Sequence, residues 1–124
     1  MGLDTTHDCW HGAYSAFSRW RVEIARVAGM PPLEMMEGFI HDGQQGIKWE
    51  ILKPDVLHVL LNHSDCDGHI SWRNTKKLAD RLAELLPLLE GDGGGHIGSY
   101  REKTQIFIDG LLAAHEAHER VEFH

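Results

Sequence analysis

The stretch that decides the fold class is residues 71–89, which read SWRNTKKLADRLAELLPLL. Its apolar and small residues recur with the 3.6-residue period of an amphipathic helix. They are Trp72, Thr75, Leu78, Ala79, Leu82, Leu85, Leu86 and Leu89. Ser71 is a suitable helix N-cap, and Pro87 is expected to kink or end the helix because it lacks a backbone N–H.

Three further helices are predicted on the N-terminal side of this stretch. The first has an apolar stripe and is closed by Gly29, with Pro31 and Pro32 following. The second runs from Leu33 to Ile40, and the third begins near Pro54, which suits a first helical turn. The stripe of the first helix is Tyr14, Phe17, Trp20, Ile24 and Val27, and the buried face of the third is Val56, Leu57, Leu60 and Leu61.

A fifth helix is predicted on the C-terminal side. Ser99-Tyr100-Arg101-Glu102 is a capping box, and the apolar period then continues to about Arg120. The final residues 121–124 alternate apolar and polar, so we expect them to lie extended against the rest of the molecule. Ile47 and Ile70 follow similar glycine-containing loops and are candidates for a two-residue β-bridge. Together these patterns predict an all-α fold, a compact five-helix single domain of residues 1–124 with short Gly-rich connections.

Composition and charge exclude several classes of protein. The 124 residues are 42% hydrophobic and 25% charged, which is typical of a globular chain and not of a disordered one. The formal net charge of −7 argues against sequence-independent binding to nucleic acid, which needs a basic surface. No apolar run approaches the ~18 residues of a membrane span, and the first residues lack a signal-peptide pattern. We therefore expect a cytoplasmic protein without a membrane partner. Assembly into a homo-oligomer is an open alternative to a monomer.

Histidine and cysteine point to a metal site. The chain has ten histidines and two cysteines, and both cysteines follow an aspartate and are flanked by histidines. Thiolate and imidazole are the ligands that zinc prefers. The candidate ligands are Cys9, His11, Cys66 and His69, with His7 and His63 as alternative imidazoles, and the spacing matches no standard zinc finger. A catalytic zinc would also need a general base, for which Asp8 and Asp67 are the candidates.

Residues 63–74 resemble a degenerate EF-hand loop. With His63 at loop position 1, Asp65 takes position 3, Asp67 position 5 and Gly68 the position of the sharp bend. Asn74 replaces the bidentate glutamate at position 12, so calcium affinity should be poor and zinc is expected over calcium. The alternative is a glycine turn between two helices, in which Asp65 and Asp67 cap backbone amides.

A third constellation could hold a phosphate group. Residues 93–99 are glycine-rich and lead into the capped last helix, whose first turn carries two cations; free amides at a helix start favour anions. A connector without a ligand is the alternative. The predicted ligand-binding residues lie in two parts of the chain. Near the N-terminus they are Asp4, Thr5, Thr6, His7 and Trp10, and around the start of the last helix they are His96, Gly98, Ser99, Arg101 and Lys103. His115 and His118, near the end of the last helix, are predicted to be structural.

Four segments together resemble a group of small phage and prophage proteins that have no established activity. The segments are GLDTTHDCWHG (2–12), HSDCDG (63–68), GHIG (95–98) and VEFH (121–124). The resemblance covers nearly the whole chain. It implies a small accessory protein that acts in a bacterial cytoplasm and antagonises host defence by binding a protein or a signalling nucleotide.

Three functions of different classes follow. The leading one is a binding protein in which segments 2–11, 63–69 and 95–103 converge on a pocket for a metal ion, a phosphorylated small molecule or both. The second is a metal-dependent hydrolase acting on a phosphoester or nucleotide, with the zinc candidates as ligands and Asp8 or Asp67 as base. The third is a protein–protein interaction module in which Trp and Arg side chains of the first helix contact a host protein.

Overall fold

The computed structural model describes residues 2–36, 46–52, 54–63, 68–90 and 99–124. In these residues there are four α-helices and two small antiparallel sheets of two strands each, and 62% of them are helical. The helices are α1 (Tyr14–Val27), α2 (His58–Leu61), α3 (Trp72–Leu85) and α4 (Tyr100–Ala117). The strands are β1 (Gly2–Asp4), β2 (His11–Ala13), β3 (His69–Ile70) and β4 (Val121–Glu122). The fold is therefore mixed α and β, and the all-α prediction is wrong.

The three long helices were predicted from their periodicity, and their limits follow the sequence signals. Helix α1 is followed by Gly29, which adopts φ +75°. Helix α3 passes into a 3₁₀ turn at Leu86–Leu88 that contains Pro87. Ser99 caps α4 and accepts a hydrogen bond at Oγ from the N–H of Glu102 (3.4 Å).

The two short helices were predicted wrongly in length or in kind. Residues 33–35 form only a 3₁₀ turn, after which Met36 is extended and forms a parallel bridge with Ile47; residues 37–40 lie outside the described chain. The helix expected from Pro54 is a single turn, α2. Since Ile47 pairs with Met36 and Ile70 with Val121, the expected bridge between the two isoleucines is wrong too.

The sheets form where the two ends of the described chain meet. In the first, Asp4 of β1 is paired with His11 of β2, and in the second Ile70 of β3 is paired with Val121 of β4. The backbones of Asp4 and His124 exchange two hydrogen bonds of 3.0 and 2.8 Å. The extended C-terminal segment predicted from its alternation is thus confirmed.

The core lies between α1, α3 and α4. Buried aromatic rings cluster at its centre. The ring centroid of Trp20 lies 5.3 Å from that of Trp10 and 4.9 Å from that of Phe107. Trp20 Nε1 donates to Thr104 Oγ1 (2.9 Å), which satisfies the indole inside the core. The Arg21 side chain, 3% exposed, donates to the backbone carbonyl of His63 and so fixes the chain that follows α2.

No helix in the described part of the chain is long and apolar enough to cross a membrane.

Candidate functional site

The loop between β1 and β2 holds most of the N-terminal residues that were predicted to bind a ligand. Thr5 closes the loop, because its N–H donates to Trp10 O (3.1 Å) and its Oγ1 accepts from Trp10 N–H (2.9 Å). Inside the loop, His7 and Asp8 both have positive φ, at 61° and 57°. This conformation is uncommon outside glycine and costs energy, so the surrounding contacts must hold it in place.

Helix α4 provides one of those contacts at Gly110. A Cβ atom at Gly110 would lie 2.5 Å from Cys9 Sγ and 2.7 Å from His7 O. Only a residue without a side chain fits here, so Gly110 allows the strained part of the loop to lie directly on the helix.

His11 lies between two carboxylates on the exposed surface. With its ring protonated, Nδ1 donates to Asp4 Oδ1 (2.8 Å) and Nε2 donates to Asp8 Oδ1 (3.0 Å). These hydrogen bonds, Asp4 first and Asp8 second, raise the pKa of His11 above 6.5. Both ring nitrogens are occupied, so in this arrangement the imidazole has no free lone pair for a metal ion or for a substrate proton. We call the surface of Asp4, Asp8 and His11 the hairpin face.

The other polar side chains of the loop contact the segment that follows α4. Thr6 Oγ1 accepts from the N–H of Glu122 (2.9 Å), and His7 Nε2 lies 3.0 Å from Glu119 Oε1. Thr6 and His7 were predicted to bind a ligand. In this structure they connect the N-terminal hairpin to the segment that follows α4.

Cys9 is fully buried, and burial raises the pKa of its thiol to about 12. A metal ligand must be a thiolate, which this environment disfavours at neutral pH. His11, the neighbouring zinc candidate, lies on the exposed hairpin face. Asp65, Cys66 and Asp67 are outside the described residues, and within the described ranges no group of three His, Cys, Asp or Glu is placed to hold a metal ion. The zinc site therefore stays a prediction.

His63 and His69 lie close to the C-terminal strand. The ring of His63 packs on Phe123 with 4.1 Å between centroids, and its Nε2 is 3.1 Å from His69 O. Gly68 has φ +92°, as expected for the sharp bend, and a Cβ there would lie 3.2 Å from the His63 ring. Segments 2–11 and 68–69 thus meet at the C-terminal strand.

The cations predicted for a phosphate site have other partners. The Arg101 guanidinium donates to Leu89 O (2.6 Å) and Pro87 O (3.1 Å), so it satisfies the carbonyls that follow α3. Lys103 Nζ lies over the Trp10 ring, 5.1 Å from its centroid, in a cation–π contact. His96 and Gly98 are outside the described residues. The phosphate site also stays a prediction.

His115 and His118 join the ends of α3 and α4. Trp72 Nε1 donates to His115 O (2.9 Å), and the rings of His115 and His118 stack on Trp72 with centroids 5.8 and 5.0 Å away. These contacts agree with the structural role predicted for both histidines.

A cleft along α1 was not predicted from the sequence. Helix α1 ends in a Schellman motif: Gly29 N–H donates to Arg26 O (3.2 Å) and Met30 N–H to Ala25 O (3.0 Å). The motif turns the chain back along the helix, and Pro31 and Pro32 restrict its backbone. The space between helix α1 and this following segment has a volume of about 290 Å³. It is lined by Val22, Ala25, Arg26, Met30, Pro32 and Glu34. We call it the α1 cleft.

Two large apolar side chains stay exposed at this place. Val22, in the wall of the cleft, is 45% exposed, and Met35, the residue after Glu34, is 48% exposed. A sequence signal for the cleft exists, because Val22 lies outside the apolar stripe of the first helix. Of the Trp and Arg side chains of the first helix that were expected to contact a partner, Trp20 and Arg21 are buried, whereas Arg19 and Arg26 are exposed.

No protein-family model, curated protein or solved structure matches this chain.

Proposed function

We propose that the protein is a small accessory protein of phage type that acts in the bacterial cytoplasm by binding a host protein through the α1 cleft. The observation that carries the proposal is an apolar cleft whose wall includes the exposed side chain of Val22 on helix α1. Protein interfaces are organised around anchor side chains that fill such pockets.

The size of the cleft supports a protein side chain as its occupant. At about 290 Å³ it is at the lower limit of the roughly 300–1,000 Å³ typical of small-molecule sites. A large apolar side chain of a partner would fit inside it, and the exposed apolar surface of Val22 would then be removed from water. Occupying a host protein in this way is one route by which an accessory protein antagonises host defence.

The other two functions have less support. The metal ion and phosphorylated small molecule of the leading sequence hypothesis depend in part on residues 64–67 and 91–98, which the structure does not describe. The hydrolase needs metal ligands with free lone pairs, and its candidate ligand His11 has both ring nitrogens in hydrogen bonds. Of its candidate bases, Asp8 accepts one of these hydrogen bonds and Asp67 lies outside the described residues. We therefore favour binding of a protein.

Site-specific photo-crosslinking in the bacterial host, followed by binding measurements with the purified partner, tests the proposal. A photo-reactive residue in place of Val22 should crosslink one host protein, and the same residue in place of Ile106 should not. Ile106 is a matched control, because it is also β-branched, helical and 46% exposed, but does not line the cleft.

The purified host protein is then titrated by calorimetry. We expect Val22→Asp to weaken binding at least about tenfold, which corresponds to ~1.4 kcal/mol, and Ile106→Asp to leave the affinity unchanged. Equal losses in the two variants, or no crosslink from position 22, would show that the cleft is not the binding site.

A further inference from the structure

We infer that Glu23 is a positioning residue for docking at the α1 cleft, because it holds the Arg26 side chain where the cleft stays open. The inference rests on the proposed function, since it concerns access to the same cleft. Arg26 lines the cleft, whereas Glu23 does not.

Three hydrogen bonds tie Arg26 to its own helix. Arg26 Nε donates to Glu23 Oε1 and Oε2 (3.1 and 3.2 Å), and Arg26 Nη2 donates to Glu23 Oε1. The Glu23 side chain is 16% exposed and that of Arg26 is 66% exposed. The more buried carboxylate thus fixes the position of the long, exposed side chain.

A second carboxylate lies within reach of the cleft on its other wall. Glu34 belongs to the segment that follows α1, lines the cleft and is exposed. An arginine side chain covers apolar surface with its methylene groups while its guanidinium stays in water. Released from Glu23, Arg26 would lie across the apolar part of the lining. Its guanidinium would pair with Glu34, and its methylene groups would occupy the space that a partner's side chain needs.

Two other charged residues belong to the same region but do not line the cleft. Arg19 is exposed and lies one helical turn before Glu23. Glu90 interacts electrostatically with Arg26, but it lines a different pocket with Arg101. The described lining itself contains one cation, Arg26, and one carboxylate, Glu34. These two residues are therefore the pair that closes the cleft.

N-acetyl-leucine amide is a suitable probe, because it is uncharged and has one large apolar side chain. It is titrated into the ¹⁵N-labelled full chain, and the amide signals of Val22 and Met30 are followed. We expect Glu23→Gln to raise the apparent dissociation constant about threefold, which corresponds to an open cleft in about one third of the molecules. In this variant, nuclear Overhauser effects should also join the Arg26 side chain to the ring of Pro32.

Double variants separate the proposed role from a general effect on the fold. Adding Arg26→Ala to Glu23→Gln removes the closing side chain, and adding Glu34→Gln removes its partner. Each addition should restore the affinity, once the effect of the same substitution alone has been subtracted.

Two further variants are matched controls. Adding Glu90→Gln to Glu23→Gln should leave the binding weakened, because Glu90 does not line the cleft. Asp80→Asn removes another exposed ion pair within a helix, that with Lys76 on α3, and should leave the affinity unchanged.

The failures of the two proposals are distinguishable. If the probe binds the wild type and Glu23→Gln alike, or if Arg26→Ala does not restore the affinity, the inference is wrong and the cleft remains a docking site. Restoration by Arg26→Ala but not by Glu34→Gln would overturn Glu34 as the closing partner. If the probe shifts no cleft signal in the wild type, the cleft does not take an apolar side chain and both proposals are overturned.

Discussion

His11 shows how a single residue on the hairpin acquires a pH-dependent role. The hydrogen bonds that its ring donates to Asp4 and Asp8 favour the protonated form, so its pKa in the folded protein lies above 6.5. The stabilising contribution of His11 is therefore fully present below the unfolded-state pKa of about 6.5 and is lost as the pH rises through the folded-state pKa.

We predict that removing either carboxylate lowers the pKa of His11. Asp4→Asn should have the larger effect, because the hydrogen bond with Asp4 is the larger cause of the shift, and Asp8→Asn the smaller. The measurement is an NMR titration of the His11 ring protons. Asp80→Asn is the control, since Asp80 pairs with Lys76 on α3. Titration of wild-type His11 at or below 6.5 would mean that the two carboxylates do not hold the ring in solution.

The loop between β1 and β2 is held in its conformation by its contact with helix α4. Gly110 sits in the middle of an 18-residue helix, where alanine normally stabilises by up to about 1 kcal/mol. Here the added Cβ would lie within 3.0 Å of three atoms, two of them backbone atoms of His7 and Cys9. Backbone atoms held in a strained loop do not move away cheaply.

We predict that Gly110→Ala destabilises the protein by about 1–3 kcal/mol, because overpacking exceeds the gain in helix propensity. Urea unfolding followed by circular dichroism measures the change. Ala113→Gly, at an exposed position of the same helix, is the matched control and should cost about 1 kcal/mol through propensity alone. A Gly110→Ala protein more stable than wild type would show that the loop does not lie on α4 as described.

The difference between the long and the short elements explains which parts of the fold could be predicted. Helices α1, α3 and α4 each carry several turns of apolar period, together with a local stop or start signal such as Gly29 or Ser99, and they were predicted. Strands of two or three residues carry no period of their own. They exist because the hairpin, the C-terminal segment and residues 69–70 meet in space. Met36 likewise leaves the helical pattern to pair with Ile47, a contact between residues eleven apart in the chain.

At the scale of the whole molecule, the same limit applies to the candidate site. The sequence predicted separate roles for four polar residues of the hairpin, with Asp4 and His7 binding a ligand, His11 a metal ion and Asp8 acting as a base. The structure brings them together on one hairpin. The sequence did not reveal that these side chains mainly contact one another and the C-terminal segment. Contacts with that segment join distant positions, since Thr6 and Glu122 are 116 residues apart. The α1 cleft depends on the reversal of the chain after Gly29, and its one local signal is Val22 outside the apolar stripe.

Cys9 provides a probe of the whole fold and of the zinc hypothesis together. Its side chain is fully buried and burial raises the pKa of the thiol to about 12, so thiolate is scarce at neutral pH and access requires opening of the structure. In a Cys66→Ser variant, where Cys9 is the single thiol, we predict that iodoacetamide reacts with the native protein far more slowly than with the urea-unfolded protein.

The labelling rate should also follow stability. Gly110→Ala in the same background should increase the rate in proportion to the fraction of opened molecules, about tenfold for each 1.4 kcal/mol of destabilisation when opening is global. In the wild-type chain, which keeps Cys66, added zinc should leave the labelling rate of Cys9 unchanged when that rate is followed by peptide mass spectrometry, because a buried neutral thiol is not a ligand. Rapid labelling of the native protein would show that Cys9 is accessible, and protection from labelling by zinc would place its thiolate in a metal site and remove it from the core described above.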